Sequence, residues 1–320
     1  MNQVPTVDLR SFHEDQSDPD VLNAIDQACR DHGFFFLKGH GLDQLMERLW
    51  GATKDFFAAP TTVKNSVRRT AENPFGYYDR ELTKQKRDQK EVFDFRTDGY
   101  MPRDPAYGPQ WPENQIDFQD TLTEYFGACT TLSDDVMRLI YRSMGLDGDE
   151  ASEPFGAQHT SAGRLNHYPA YDPVDEHERD QLTGLGDMAL HHHTDTGAIT
   201  LLLQDDVGGL QTYSHKGERW IDVPPEPGVL VVNVGDLMQV WTNDRYQSAI
   251  HRVTPVKPSG RYSVAYFYQP RFDAAIAPWA DGQTPHYRSF TFKEFIKARM
   301  ADNYADAGDE DVQITRYRVA

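Results

Sequence analysis

Cysteine is nearly absent from this chain: Cys29 and Cys129 are the only two. A disulfide-stapled secreted scaffold is therefore excluded. Both cysteines fall in helix-like stretches and read as buried free thiols, which suits a reducing cytoplasm. Long apolar runs are missing too. None reaches the roughly 18 residues of a membrane-spanning helix, and Met1 to Asp8 lacks the basic segment and apolar run of a signal peptide. Basic charge is scarce, with 32 Lys and Arg against 50 Asp and Glu and a net charge of −18 at pH 7. Nucleic acid and anionic membrane both demand a basic footprint, so neither is expected as a partner. A small anionic ligand is not excluded, because one buried arginine can hold a carboxylate in an acidic protein. The sequence shows no internal repeat or low-complexity segment and carries no signal for oligomeric state.

What is present describes an ordered globular chain of 320 residues, 38% hydrophobic and 12% aromatic. The first half is mainly helical by pattern. A short strand is expected over 4–9, helices over 18–31 and 42–58, a buried strand at Phe34-Phe35-Phe36-Leu37, and a long helix over 116–144 whose apolar residues recur at helical spacing. Between them, 64–96 is turn-rich and aromatic and contains a densely charged run, 84–91, before a short strand at Val92-Phe93-Asp94-Phe95. It reads as a substrate-covering loop or as an ordinary solvated excursion. Residues 98–114 read as a proline-bearing connection. After Gly145 the pattern turns to alternation. Strands are expected near 163–168, 187–193, 198–204, 208–213, 219–223, 228–233, 237–241, 247–254 and 261–269, separated by turn signals, with a closing helix over 292–301. The fold class is therefore α+β with a mainly β core, a sandwich or jelly roll flanked by helices.

One stretch carries chemistry. His193-Thr194-Asp195 places an imidazole and a carboxylate on one face of an extended backbone, with Thr194 turned away. His251, in Ser248-Ala249-Ile250-His251-Arg252-Val253, is the best third ligand. Two imidazoles and one carboxylate form the ligand set of a non-haem Fe(II) that keeps positions open. Downstream, Arg261 and Ser263 share a strand face and offer a planar fork and a hydroxyl to a carboxylate. Asn166 and Tyr168 form another pair with polar tips. His191 has the parity of His193 and lines the pocket, lies behind the ligands or sits at the surface, whereas His192 points away. His13, His32, His159, His177, His215 and His286 have no partner at metal-binding spacing and read as surface or capping residues. Phe267 reads as a core aromatic or a wall of the pocket, and Tyr77, Tyr78 and Phe93 are candidates to contact the substrate.

These motifs, in this order, resemble the isopenicillin N synthase-like family of Fe(II)/2-oxoglutarate-dependent dioxygenases. The resemblance runs from Pro5-Thr6-Val7-Asp8-Leu9 and Gly33-Phe34-Phe35-Phe36-Leu37-Lys38-Gly39-His40-Gly41 through Lys90-Glu91-Val92-Phe93-Asp94-Phe95 to the His193 motif. It continues through Gly208-Gly209-Leu210-Gln211, Val232-Asn233-Val234-Gly235-Asp236, the His251 motif and Arg261-Tyr262-Ser263. It implies a double-stranded β-helix core (151–275), an N-terminal helical and strand region (1–150) and a C-terminal helix and tail (276–320), all one catalytic unit. It also implies His193, Asp195 and His251 as iron ligands, Arg261 and Ser263 as the clamp on 2-oxoglutarate, and Asn166 and Tyr168 as further co-substrate contacts. The segment between Tyr168 and His193 is long for that family. The implied reaction consumes O2 and 2-oxoglutarate, releases succinate and CO2, and hydroxylates, desaturates or cyclises a small molecule.

Three other readings use the same residues. An isopenicillin N synthase-like oxidase would spend Arg261 and Ser263 on its own substrate's carboxylate and need no 2-oxoglutarate. A zinc hydrolase could use the same ligands but has no use for that clamp. A non-catalytic small-molecule binding protein would have no reason to keep an iron site.

Overall fold

Phe34, Phe35, Phe36 and Leu37 are all buried because their strand is covered on both faces. The computed structural model describes residues 4–10, 18–70, 72–83, 86–97, 108–113, 115–214, 217–255, 258–279, 283–304 and 313–319. In it, β2 (Phe34–Lys38) lies in an eight-stranded sheet. The order is β1 (Thr6–Asp8), β2, β12 (Leu230–Val234), β9 (Ile199–Gln204), β14 (Arg261–Tyr268), β7 (Ala162–Tyr168), β6 (Glu91–Phe95) and β3 (Gly76–Tyr78). A four-stranded sheet contains β11 (Arg219–Asp222), β10 (Leu210–Ser214), β13 (His251–Val253) and β8 (Leu190–His193).

Alternation along the strands sorts the side chains. Leu201, Leu203, Leu230, Val232, Val264 and Tyr266 belong to the large core shared with the helices. Phe34, Phe36, Tyr168 and Val231 belong to a smaller core with Leu210 and Val253 of the four-stranded sheet. The helices are α1 (Pro19–Asp31), α2 (Asp43–Ala58), α3 (Thr61–Ser66), α4 (Ile116–Ser143), α5 (Glu176–Arg179), α6 (Asp236–Trp241) and α7 (Phe292–Tyr304). Helix α4 lies against β9 and β14 and buries Leu122, Phe126, Leu139 and Ile140 along one side. The result is the helix-flanked jelly roll predicted from the alternation.

Three expectations need correction. Residues 236–241 form helix α6, not a strand. Leu237, Met238, Val240 and Trp241 are all buried, and so short an apolar run carries no periodicity to separate helix from strand. Second, the excursion is neither a plain loop nor a solvated one. It adds β3 and β6 to the large sheet and the ribbon β4 (Leu82–Thr83) with β5 (Lys86–Arg87). Its charges turn inward: Arg69, Asp79, Arg87, Asp88, Lys90 and Glu91 are all buried. Arg87 grips Asp172 through two bonds of 2.5 Å each, so the excursion is tied to the segment after Tyr168. Third, His159 is buried, with its Nδ1 2.7 Å from the Ser161 hydroxyl and its ring stacked on Phe126. Lys84, Gln85, residues 98–107, residue 114, His13 and His215 lie outside the described residues.

The excursion is fastened by an aromatic cluster. The Phe93 ring lies 4.7 Å from Phe56, 5.3 Å from Phe118 and 6.0 Å from Trp111, centroid to centroid. Truncating a fully buried phenylalanine loses both transfer energy and packing. Phe93→Ala is therefore expected to destabilise the protein by about 3–5 kcal/mol, measured as a fall in the urea midpoint with an unchanged far-ultraviolet spectrum before the transition.

Candidate metal centre

The three distant ligands meet. His251 on β13 is paired directly with His193 on β8, and the two rings lie 4.2 Å apart. Asp195 follows β8, and its Oδ1 is 3.7 Å from His193 Nε2 and 3.8 Å from His251 Nε2. One ligand atom from each residue lies within 4.8 Å of the others, a group able to hold a metal ion.

Neighbouring groups fix which atoms face inward. His193 Nδ1 lies 2.9 Å from the His191 carbonyl, and His251 Nδ1 lies 3.0 Å from the Ala249 carbonyl. A carbonyl only accepts, so each Nδ1 carries a proton and Nε2 is the ring atom left to face a metal. Asp195 is held through its other oxygen: Thr200 Oγ1 donates to Oδ2 at 2.6 Å and Asn233 Nδ2 donates at 2.8 Å. Burial lowers the pKa of His193 to about 3; His251 adds to that, while Asp195 opposes it. Burial disfavours the Asp195 carboxylate, yet His251, His193 and the two hydrogen bonds outweigh it and hold its pKa below the ordinary value. His193 is thus neutral and Asp195 ionised at neutral pH, the states that metal coordination requires.

Backbone packing shapes the loop carrying Asp195. The Asp236 amide donates to the Asp195 carbonyl at 2.8 Å, and the Leu237 amide to the Gly197 carbonyl at 3.1 Å. Position 235 must be glycine, since a Cβ there would lie 2.3 Å from the Gly197 carbonyl oxygen.

Arg261, Ser263, Asn166 and Tyr168 are brought together. Arg261 pairs with Tyr168 and Ser263 with Asn166 across β14 and β7. The Arg261 guanidinium lies 5.0 Å from the Tyr168 ring centroid and donates to Ser263 Oγ at 3.3 Å and to Gln204 Oε1 at 3.4 Å. Arg261 is buried, its Nε has no hydrogen-bond partner, and no carboxylate among the described residues pairs with it. A buried guanidinium in that state is set up for an anion. Thr200 and Gln204 share a face of β9, about 13 Å apart along the strand, so the Asp195 anchor and the Arg261 partner mark two ends of one wall.

Other candidates divide. Phe267 pairs with Thr200 and is partly exposed. His191 is bonded to Asp88 Oδ1 at 3.2 Å and to Asp187 Oδ1 at 3.2 Å. His192 is exposed, with its ring edge toward Trp220. Tyr78 is partly buried on the face of the sheet that carries Asn166. Tyr77 and Phe93 lie on the opposite face, in the large core, away from the site. Sequence reasoning assigns no role to Thr200, Asn233 or Gln204. Strand parity carries a signal for Thr200 and Gln204, and Asn233 is a lone amide in an otherwise apolar strand, a group that needs a partner when buried.

Comparisons with known proteins agree with this geometry. Residues 160–270 match the profile of the 2OG-Fe(II) oxygenase superfamily, and residues 4–116 match the N-terminal region of non-haem dioxygenases in morphine synthesis. The chain is 33% identical over 326 residues to homoarginine-6-hydroxylase 2-ODD-233 of Oryza sativa subsp. japonica, covering 94% of each protein. It is 31% identical over 327 residues to the 2-oxoglutarate-Fe(II) type oxidoreductase hxnY of Emericella nidulans, covering 95% of this chain and 91% of that one. Among solved structures, a full-length Neurospora crassa protein in complex with alpha-KG superposes with a TM-score of 0.80 at 28% identity, covering 94% of this chain and 96% of that one. The dioxygenase for auxin oxidation in rice superposes with a TM-score of 0.75 at 26% identity, covering 99% and 100% of the two chains.

Removing either anchor of Asp195 should loosen the centre without emptying it. Asn233→Ala and Thr200→Val are each expected to weaken Co(II) affinity about 10-fold, at the lower end of losses from groups that orient ligands. Titration of the metal-stripped protein reads this directly, and unchanged affinity in both variants would remove the anchoring role.

Proposed function

The chain belongs to the 2OG-Fe(II) oxygenase superfamily, and from that premise we propose that His193, Asp195 and His251 hold Fe(II) while Arg261 and Ser263 hold the far carboxylate of 2-oxoglutarate. The enzyme is a dioxygenase that uses Fe(II), 2-oxoglutarate and O2. The observation supporting the residue roles is the pairing of a compact His-Asp-His group with a buried arginine that no carboxylate among the described residues neutralises. Neither a zinc hydrolase nor a bare binding protein has a use for both.

Bound iron with its co-substrates supplies an oxidant that breaks a C–H bond, with succinate and CO2 as co-products. The chain's own residues bind and orient. Thr200 and Asn233 occupy the Asp195 Oδ2 so that Oδ1 faces the two Nε2 atoms. Arg261 sets the depth at which the keto acid sits, Tyr168 lies under its guanidinium, and Asn166 stands opposite Ser263. Gln204 holds the guanidinium in register. Phe34 and Phe36 of β2 and Tyr168 of β7, buried in the core between the sheets, exclude water from the interior.

The primary substrate in this reading is a small organic molecule that approaches from the His193 side, the most exposed of the three ligands. Solved relatives support the size class: one carries thymine, and another is JOX2 with 2OG, Fe and JA. The buried free thiols suit the cytoplasm, and no helix among the described residues is long and apolar enough to cross a membrane.

Anaerobic addition of 2-oxoglutarate to the Fe(II) protein should produce a visible charge-transfer band; its absence would favour the oxidase that needs no keto acid. Arg261→Ala should raise the 2-oxoglutarate requirement about 10- to 100-fold, the cost of charge-assisted hydrogen bonds, while Fe(II) binding persists. Unchanged 2-oxoglutarate affinity would refute the clamp. Succinate release across a panel of metabolites then identifies the substrate.

A further inference from the structure

Helix α7 buries Phe292, Phe295 and Arg299, positions that fall on one helical face. A guanidinium therefore occupies a place where the helix's own pattern calls for an apolar residue. Arg299 is 5% exposed, and a charge that deep is costly unless it is paired and hydrogen-bonded. Its Nη2 donates to the Thr194 carbonyl at 3.3 Å and to Thr194 Oγ1 at 3.4 Å. Thr194 is the residue between His193 and Asp195, turned away from the metal ligands. The same guanidinium opposes the cost of burying Asp236, which is 1% exposed. Asp236 also anchors the loop, its amide N–H donating to the Asp195 carbonyl at 2.8 Å.

We propose that Arg299 is a positioning residue of the metal centre: a cation from the C-terminal helix that fixes the peptide between His193 and Asp195 and makes α7 part of the iron site. The proposal rests on the iron reading above. The carbonyl it grips belongs to the peptide leading into Asp195, so tilting that peptide swings the Asp195 side chain. The anchors on Oδ2 hold the carboxylate end; Arg299 holds the backbone end. Phe292 and Phe295 are fully buried as well, so the helix has apolar contacts that do not depend on the arginine.

The test uses the full-length, metal-stripped protein and Co(II) or Fe(II) alone, without co-substrate. Arg299→Met keeps an apolar stem and removes the donors. It should bind either metal about 10- to 100-fold more weakly, the range for groups that orient metal ligands, and, because Asp236 loses its buried counter-charge, it should also lower the melting temperature of the metal-free protein. Arg299→Lys, which keeps the charge but not the fork, should fall between. By linkage, adding metal to the wild type should slow amide exchange in residues 292–299, and Arg299→Met should abolish that slowing. Wild-type metal affinity in Arg299→Met would overturn the proposal, as would a lowered melting temperature with affinity intact. If Arg299→Met does not fold, the exchange measurement on the wild type decides: no metal-dependent slowing in 292–299 overturns it. Failure of the wild type itself to bind metal would instead refute the iron site.

Discussion

The Asp195 carboxylate has been taken out of water, and much of the barrel's design answers that one cost. An isolated buried carboxylate would take up a proton before it stayed charged. Two hydrogen-bond donors help keep it ionised beside the two imidazoles, and each of these four groups comes from a different strand. Thr200 is on β9, Asn233 on β12, His251 on β13 and His193 on β8. These strands belong to both sheets, so the charge can be satisfied only when the sandwich has closed. The metal site and the fold are one constraint in this sense. It also explains a polar amide in β12, which a purely apolar strand would not need.

A second set of buried charges lines the neighbouring wall. Arg164 makes paired bonds to both Glu81 and Asp94, Arg69 reaches the same two carboxylates, and Lys90 lies 3.0 Å from Glu81 and 3.3 Å from Asp88. Asp88 then meets His191, next door to the ligand His193 on β8. The three cations and three carboxylates are mutually paired, unlike Arg261. Buried ion networks of this kind add little net stability over apolar packing but tolerate few alternative arrangements. The network therefore fixes how the excursion sits against β8, whereas Arg261 has no carboxylate partner among the described residues.

How much of this is legible in the sequence depends on period and parity. The strands β7, β9 and β14 alternate clearly, so the pairs Arg261 with Ser263 and Asn166 with Tyr168 can be assigned to shared faces before any coordinates. His193 and Asp195 follow the same rule. Helix α6 defeats it because Leu237 to Trp241 is almost wholly apolar, and a segment buried all round has lost the contrast that defines a period. The run at 86–91 misleads because charge density is ordinarily a sign of solvent. Lys90 and Glu91 are buried instead, each next to its counter-charge, and a single sequence does not say which distant residue neutralises which. Asn233 shows the same limit: its oddity is visible, but not its partner.

The division of labour across the barrel follows from where solvent reaches. The His193 side chain is 23% exposed, against 10% for His251 and 6% for Asp195. The open side is therefore the β8 edge, while Arg261 lies buried on β14. Strand β4 of the excursion packs against both β8 and α7, and the segment held by Arg87 leads directly into β8. Three additions to the barrel thus converge on the exposed ligand, away from the buried arginine. Under the proposed clamp role of Arg261, a keto acid would meet strand residues fixed by register. A substrate entering, as proposed, from the His193 side would meet residues from the excursion, the segment after Tyr168 and the C-terminal helix. Selectivity on this fold can change there without disturbing the buried carboxylate on which the centre depends.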